Sequence, residues 1–177
     1  MIYVLLVDGF EEIEAIEPID ILRRGGLLVK TVGVNSEFVT GAHDIVVKAD
    51  ILIDEVSLDN AEILMLPGGA GHVNIEKSEK ATDLIKKAYN NGIYVTAICA
   101  SPSILGKMGL LKGKKATCFP GFEEFLEGAD YSDEKVVCDG KIITAKGAGA
   151  AAEFGFCMLE KLKGKETANK IKDVMQY

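Results

Sequence analysis

The chain has 177 residues, the size of one ordinary domain, and residues 1–177 are expected to fold as a single domain. A net charge of -7 without a run of Lys or Arg argues against nucleic acid and anionic membranes as partners. No apolar run reaches the roughly 20 residues of a membrane span, and the N-terminus lacks the basic segment of a signal peptide, so we expect a cytoplasmic protein with no membrane partner.

The cysteines are spread almost evenly along the chain, at Cys99, Cys118, Cys138 and Cys157. There is no Cys-x-x-Cys pair, and neither histidine is close to a cysteine. The spacing therefore predicts free thiols and no metal site.

Apolar segments that alternate with helical patterns predict an α/β fold. The apolar runs are continuous, which is typical of parallel strands covered on both faces. A small hairpin or excursion that need not join the main sheet is expected within residues 38–53, and Asp139-Gly140 indicates a hairpin. In chain order, the predicted strands are 1–8, 27–34, 62–66, 94–99, 115–119, 136–138 and 142–144, and the predicted helices are 13–24, 81–90, 102–108, 122–126, 150–162 and a short tail helix.

The first predicted helix has apolar residues every three positions, at Ile13, Ile16, Ile19 and Leu22. Ile13 and Ile16 are expected to face the sheet as part of this stripe. Pro18 lies within the pattern and is expected to begin the regular helix or to kink it.

The stretch around Cys99 carries the strongest indication of chemistry. A buried strand ends at this cysteine, and Pro102 then begins a helix. The neighbours Ala97 and Ser101 are small, as a sharp strand-to-helix turn requires, which is the pattern of a nucleophile elbow with Cys in place of Ser. The helix N-terminus is expected to favour the thiolate, whereas the alternative is an inert buried cysteine.

Residues that follow other strands are candidates for the same site, because ligands of open α/β sheets bind at the carboxyl ends of the strands. Gly68 and Gly69 follow one strand, and either could join the N–H of Ala100 in an oxyanion hole. The glycine turn lacks the residues of a phosphate-binding motif, so phosphate binding is disfavoured.

Acidic residues and two histidines complete the list of candidates. A carboxyl group beside the sulfur would have a raised pKa and could act as a general acid or base, but spacing does not choose among Glu11, Glu12 and Glu14. His72 follows the glycine turn and could reach the site. His43 reaches it only if its hairpin folds over or comes from another subunit.

Four segments together resemble the DJ-1/ThiJ/PfpI superfamily: VDGFEEIE at 7–14, LPGG at 66–69, AICASP at 97–102 and TAKGAG at 144–149. The resemblance spans nearly the whole chain. It implies a flavodoxin-like three-layer α/β/α sandwich with a mostly parallel sheet and a nucleophile elbow, and it implies a homodimer.

By position, the resemblance assigns Cys99 as the nucleophile and oxidation-sensitive thiol. It assigns Glu14 as the carboxyl group that hydrogen-bonds the sulfur. The N–H groups of Gly69 and Ala100, with Gly68 adjacent, correspond to the oxyanion donors.

Two positions depart from family members that have a histidine beside the cysteine. Protease-type members have His directly after it, where this chain has Ala100, and another member has His where this chain has Phe119. His43 falls near the position of an Arg that reaches towards the partner's site in a dimer. A shortened glycine loop is expected to place His72 near the pocket.

Three functions follow, in order of preference. The first is a cofactor-free glyoxalase or deglycase, in which Cys99 and Glu14 convert small 2-oxoaldehydes such as methylglyoxal. The second is a redox sensor or chaperone that works through oxidation of Cys99. The third is a cysteine peptidase or amidase of the PfpI type, which the missing histidine disfavours.

Overall fold

A seven-stranded sheet forms the centre of the computed structural model, which describes residues 1–177. The strands are β1 (Ile2–Leu6), β2 (Val29–Gly33), β3 (Phe38–Thr40), β4 (Val46–Lys48), β5 (Ile51–Leu52), β6 (Ile63–Leu66), β7 (Tyr94–Ile98), β8 (Lys115–Ala116), β9 (Asp130–Tyr131), β10 (Val136–Asp139) and β11 (Ile142–Ala145). The helices are α1 (Glu12–Arg24), α2 (His72–Lys77), α3 (Glu79–Asn90), α4 (Pro102–Lys107), α5 (Ala151–Lys163) and α6 (Lys165–Met175).

The strand order in the main sheet is β10-β11-β7-β6-β1-β2-β5. All neighbouring pairs are parallel except β10 with β11, which form the predicted hairpin. The strands β1, β6 and β7 lie side by side at the centre, so the loops after them meet at one edge. This is the predicted flavodoxin-like sandwich.

Alternate residues of the central strands face two separate cores, since side chains of a strand alternate between the faces of the sheet. Ile2, Val4 and Leu6 of β1 join the core beneath α1, α5 and α6. Tyr3 and Leu5 join the core beneath α3 and α4. Burial of both faces explains why the strands are apolar without interruption.

The predicted orientation of α1 is wrong at its N-terminal end. Ile13 and Ile16 are 52% and 41% exposed, whereas Glu14 is only 1% exposed. The buried positions, which are spaced as one helical face, are Glu12, Glu14, Ala15, Pro18, Ile19, Ile21 and Leu22. Two glutamates and a proline occupy this buried face. The spacing of the apolar residues therefore predicted the wrong face at the start of the helix.

Pro18 neither begins nor breaks α1, because the helix continues from Glu12 to Arg24. Gly155 of α5 packs against it, and a Cβ at Gly155 would lie 3.0 Å from the Pro18 Cα. The missing side chain at Gly155 therefore lets the two helices approach closely.

The excursion predicted within residues 38–53 is a hairpin of β3 and β4 outside the main sheet. The following strand β5 joins the edge of the main sheet, which the sequence did not predict. The helix α2 was also not predicted, because it has six residues and its cap Gly71 offers no capping side chain. None of the helices combines the length and the apolar composition needed to cross a membrane.

Candidate active site

Cys99 follows β7 directly and has a left-handed backbone conformation, with φ of 64°. This conformation is uncommon for a residue with a Cβ and is typical of strained functional turns. The Cys99 N–H donates to the Ala145 carbonyl at 2.9 Å, and its own carbonyl accepts from the Phe119 N–H at 2.8 Å. The turn predicted around Cys99 is therefore present and held from both sides.

A hydrogen bond from Ser101 links this turn to the glycine turn after β6. Its side chain is fully buried, and its hydroxyl donates to the Pro67 carbonyl at 2.5 Å. The sequence indicated only that residue 101 must be small. The hydrogen bond adds a reason for serine at this position.

Glu14 enters the site from the first turn of α1. Its Oε2 accepts a hydrogen bond from the Gly68 N–H at 3.0 Å, and its carboxyl hydrogen-bonds the Cys99 sulfur. The Ala148 N–H lies near enough to lower the pKa of this carboxyl. The carboxyl beside the sulfur is thus Glu14, removed from water and held by the Gly68 N–H.

The other two acids of the cluster have different partners. Glu11 caps α1, because its Oε2 accepts from the Glu14 N–H at 2.8 Å. Glu12 accepts from the His43 N–H at 2.7 Å and contacts the His43 ring at 2.8 Å. Of the three acids that the spacing allowed, only Glu14 is free to face Cys99.

The N–H groups of Gly69 and Ala100 both hydrogen-bond the Cys99 sulfur. Donors that face a sulfur also face an oxygen on a carbon bound to that sulfur. Gly69 has φ of 89°, and a Cβ there would lie 2.5 Å from the Gly9 carbonyl oxygen. Glycine is therefore required for this donor to point at the site.

Burial raises the pKa of Glu14 to about 7. The nearby charge of Glu11 raises it as well, whereas the hydrogen bonds to the Glu14 carboxyl lower it. Burial also raises the pKa of the Cys99 thiol to about 12, together with the charge of Glu14, while the N–H groups of Gly69 and Ala100 oppose the rise. The expected lowering of the thiol pKa by α4 is therefore wrong, since burial and an ionised Glu14 outweigh it.

The two groups lie side by side, and as the pH rises through about 7 the pair of Cys99 and Glu14 is left with one proton. The sulfur mainly carries this proton beside a carboxylate, because the pKa of the thiol is the higher of the two. In the other arrangement the carboxyl carries it beside a thiolate. Transfer of the proton to Glu14 removes the charge that repels the thiolate. Glu14 is thus positioned to act as the base that activates Cys99.

A surface cavity of about 400 Å³ lies near Glu14, although neither Glu14 nor Cys99 lines it. It is lined by Phe119, Pro120, Lys135, Lys146 and residues 147–150. A Cβ at Gly147 would lie 3.9 Å from the Glu14 Oε1, which places this cavity next to the carboxyl group.

Neither histidine hydrogen-bonds the Cys99 sulfur. His72 lies at the glycine turn, as expected, but its Nδ1 donates to the Gly69 carbonyl at 3.0 Å and its ring packs on Phe122. The His43 side chain is 71% exposed and belongs to the β3–β4 hairpin. No imidazole in the chain is paired with the thiol.

Glu11, Glu12 and His43 form the one cluster with the spacing of metal ligands, their donor atoms lying within 4.8 Å of one another. Burial acts to raise the pKa of Glu12, but hydrogen bonds from the His43 ring and backbone outweigh it, so this pKa is lowered. The bond to Glu12 raises the pKa of His43. The cluster lies at the N-terminal end of α1, and the bonds between Glu12 and His43 join the hairpin to this helix.

Gly68 provides a direct test of this packing. A Cβ at residue 68 would lie 2.4 Å from the Glu14 Oε2 and 2.5 Å from the Cys99 Cβ. We expect Gly68→Ala to separate these groups, to destabilise the fold by roughly 1–3 kcal/mol, and to reduce activity strongly. Thermal unfolding and steady-state assays measure both effects.

Gly149→Ala is the matched control, because a Cβ at the exposed Gly149 meets nothing within 4 Å. It is expected to leave thermal unfolding near that of the wild type, and only this quantity is compared, because Gly149 lines the cavity near the site. Equal behaviour of the two variants would mean that Gly68 does not hold Glu14 and Cys99 in place.

Comparisons with known proteins match this geometry to one family. Residues 1–161 match the DJ-1/PfpI family. The chain is 36% identical over 172 residues to Protein dj-1beta of Drosophila melanogaster, covering 95% of this chain and 92% of that protein. It is 33% identical over 147 residues to Deglycase PfpI of Pyrococcus furiosus, covering 82% of this chain and 89% of that protein. The solved structure of oxidized Toxoplasma gondii DJ-1 superposes with a TM-score of 0.95 at 35% identity, covering 99% of this chain and 97% of that one.

Proposed function

Because the chain belongs to the DJ-1/PfpI family, we propose that it is a cysteine-dependent glyoxalase- or deglycase-type enzyme for small 2-oxoaldehydes such as methylglyoxal. The observation that carries the proposal is the buried contact between the Glu14 carboxyl and the Cys99 sulfur. The name of the Pyrococcus furiosus relative, a deglycase, supports the same class of reaction.

The reaction begins when Glu14 takes the proton of the Cys99 thiol. The thiolate adds to the aldehyde carbon of methylglyoxal, the carbonyl π bond breaks, and the oxygen takes the proton back from Glu14 to become the hydroxyl of a hemithioacetal. The N–H groups of Gly69 and Ala100 stabilise the charge on this oxygen while the carbon–sulfur bond forms.

Glu14 then moves a proton between the two carbons. Its carboxylate removes the proton from the former aldehyde carbon and returns it to the adjacent carbon, while the hydroxyl proton of the hemithioacetal passes to the former ketone oxygen. This leaves a 2-hydroxy thioester on Cys99. Water hydrolyses the thioester, so the products are a 2-hydroxy acid and the free thiol. A carboxyl with a pKa of about 7 is suited to both directions of transfer. The proposed reaction requires no metal, nucleotide or glutathione.

The proposal is tested by incubating the purified protein with methylglyoxal in an amine-free buffer that contains a chelator and no added thiol. We expect lactate to form in proportion to the protein concentration. Consumption at the rate of buffer alone, with no lactate, would contradict the proposal.

A second candidate function is redox sensing or chaperone activity through Cys99. One observation favours it: Glu14 and two backbone N–H groups surround the sulfur, and the same donors would hydrogen-bond a sulfinic acid there. The similar Toxoplasma gondii protein was solved in an oxidized state. Mild peroxide should then add two oxygen atoms at Cys99.

The peptidase or amidase alternative has less support. An amide leaving group needs a proton donor, and neither Ala100 nor Phe119 offers one. The Nδ1 of His72 is engaged by the Gly69 carbonyl.

We further propose that the protein is a cytoplasmic homodimer, with its four thiols kept reduced. Exposed apolar side chains on α1 and the β3–β4 hairpin support the dimer: Ile13, Ile16, Phe38, Ile45 and Val46. The two elements are joined by the contact between His43 and Glu12. An apolar surface of this kind is typical of an interface between copies related by a two-fold axis.

Ile13→Glu should convert the dimer into a monomer, because it places a charge in the apolar contact. Light scattering after size-exclusion chromatography is expected to show half the wild-type mass. The control is Leu28→Glu, since Leu28 is 71% exposed and lies outside this surface. A monomeric wild type, or a dimer unaffected by Ile13→Glu, would rule out this interface.

A further inference from the structure

Two cysteines outside the candidate active site lie near each other where α5 packs against the edge strand β10. Cys138 is on the edge strand β10, and Cys157 is on α5. Both are partly buried, pack against the same core and line the same surface groove, and the nearby Cys138 contributes to the raised pKa of Cys157. The mechanism proposed for Cys99 uses neither of them.

Lys161 lies one helical turn after Cys157 and faces the same cluster. Its side chain lines the same surface groove as Cys138, and attraction to the Cys138 sulfur is the main reason that the pKa of Lys161 is raised. A cation beside a cysteine promotes reaction of its sulfur. Of the two cysteines, Cys138 is the one with this cation beside it.

Cys157 has the opposite environment. Burial raises the pKa of its thiol to about 11, and the charges of Cys138 and Glu160 add to this rise against the effect of Lys161. Cys157 therefore remains a thiol near neutral pH. A cysteine with a cation beside it, next to a second thiol, is the arrangement that a disulfide-forming pair requires.

A surface groove of about 490 Å³ gives small reagents access to the pair. Its lining includes both cysteines, the Phe156 ring, Lys161 and Lys172. Glu153 and Glu160 also line it, so both signs of charge are present. An uncharged oxidant of the size of hydrogen peroxide fits this groove.

We propose that Cys138 and Cys157 form a second, dithiol oxidation site, which hydrogen peroxide converts into an intramolecular disulfide between β10 and α5. No step of this reaction involves Cys99 or Glu14. The inference therefore holds whether or not the proposed aldehyde chemistry is correct.

The reaction has two steps. The Cys138 thiolate attacks one peroxide oxygen, the O–O bond breaks, and the departing hydroxide takes a proton from solvent to become water. The Cys157 sulfur then attacks the Cys138 sulfenic acid, the S–O bond breaks, and hydroxide leaves as water with the proton of the Cys157 thiol. Together the two sulfurs lose two electrons to the peroxide, and two thiols and one peroxide yield one disulfide and two waters.

The test uses the full chain with Cys99→Ser and Cys118→Ala, which leaves only the two cysteines of interest. After mild peroxide treatment, intact mass should fall by two hydrogen atoms, and peptide mapping should recover the 138 and 157 peptides joined by a reducible bond. Adding Lys161→Gln should slow disulfide formation severalfold at neutral pH. Adding Cys138→Ser or Cys157→Ser should abolish it.

Three outcomes would overturn the inference. These are an unchanged mass, oxygen gained independently on each cysteine, and a disulfide that joins two chains on a non-reducing gel. Because the double substitution can affect folding, Cys99→Ser alone is treated in parallel, and it should give the same joined peptides with Cys118 still reduced.

Discussion

Cys99→Ser will lower the rate of methylglyoxal conversion by at least about 1,000-fold, the scale of loss seen when an enzyme loses its nucleophile. A serine hydroxyl at residue 99 keeps the shape of the turn but is far less acidic than a thiol, so Glu14 cannot activate it at neutral pH. The measurement is lactate formed per protein chain under the conditions described above.

Cys138→Ser is the control for this substitution, because it also removes one partly exposed thiol but lies outside the candidate active site. It should keep the wild-type rate in a reducing buffer. If Cys99→Ser converts methylglyoxal as fast as the wild type, Cys99 is not the nucleophile and the proposed reaction fails.

Glu14→Gln will abolish most of the activity and yet stabilise the fold above neutral pH. Glutamine can accept the Gly68 hydrogen bond that Glu14 accepts, but it cannot take a proton from Cys99. Loss of the base alone should lower the rate by about 100- to 10,000-fold.

The gain in stability follows from the raised pKa of Glu14, about 7 in the folded protein against 4.5 as its ordinary value. When the pKa of a group is higher in the folded protein than in the unfolded chain, the group stabilises the fold at a pH below the unfolded-chain pKa. This stabilisation is lost as the pH rises through the pKa of the folded protein. Here the loss occurs between about pH 4.5 and pH 7 and amounts to roughly 3 kcal/mol. A glutamine at residue 14 does not titrate, so the Glu14→Gln variant does not lose this stability as the pH rises.

Denaturant unfolding at pH 4.5 and pH 8 measures this effect. The difference in unfolding free energy between Glu14→Gln and the wild type should shift in favour of the variant by roughly 3 kcal/mol from the lower to the higher pH. Glu127→Gln removes an exposed carboxylate and should show no such shift. An unchanged difference for Glu14→Gln would mean that its carboxyl is not buried in an unfavourable ionised form.

Much of the site follows from the sequence because the turn at Cys99 leaves few choices. An apolar strand, a cysteine, small neighbours and Pro102 together predict a sharp strand-to-helix turn, and Cys99 has the expected strained backbone. The parallel sheet follows from the uninterrupted apolar strands. The sequence also placed the glycine turn at the same edge of the sheet.

The choice among the acids could not come from spacing. Glu11, Glu12 and Glu14 all lie within one turn of α1, and only the hydrogen bonds of the fold distinguish the cap, the hairpin contact and the active-site carboxyl. The resemblance to a family selected Glu14, and the structure supplies the physical reason. The same contacts explain why Ile13 and Ile16 are exposed.

The thiol pKa illustrates a different limit of sequence reasoning. The helix N-terminus after Cys99 predicted a lowered pKa, but the size of the opposing effects depends on burial and on the position of Glu14. Neither the burial of Cys99 nor the position of Glu14 can be predicted from the residues next to Cys99. The proximity of Cys138 to Cys157 was also not predicted, since the two lie 19 positions apart in the chain.

The central claim is that Cys99 and Glu14 share one proton, and the pH dependence of Cys99 alkylation tests it most directly. Iodoacetamide labelling, followed at the Cys99 peptide by mass spectrometry, should accelerate in the wild type with an inflection near pH 7, where the pair is left with one proton. In Glu14→Gln the buried thiol must lose its proton without a base, so the inflection should move to higher pH. An identical inflection in both proteins would contradict the claim.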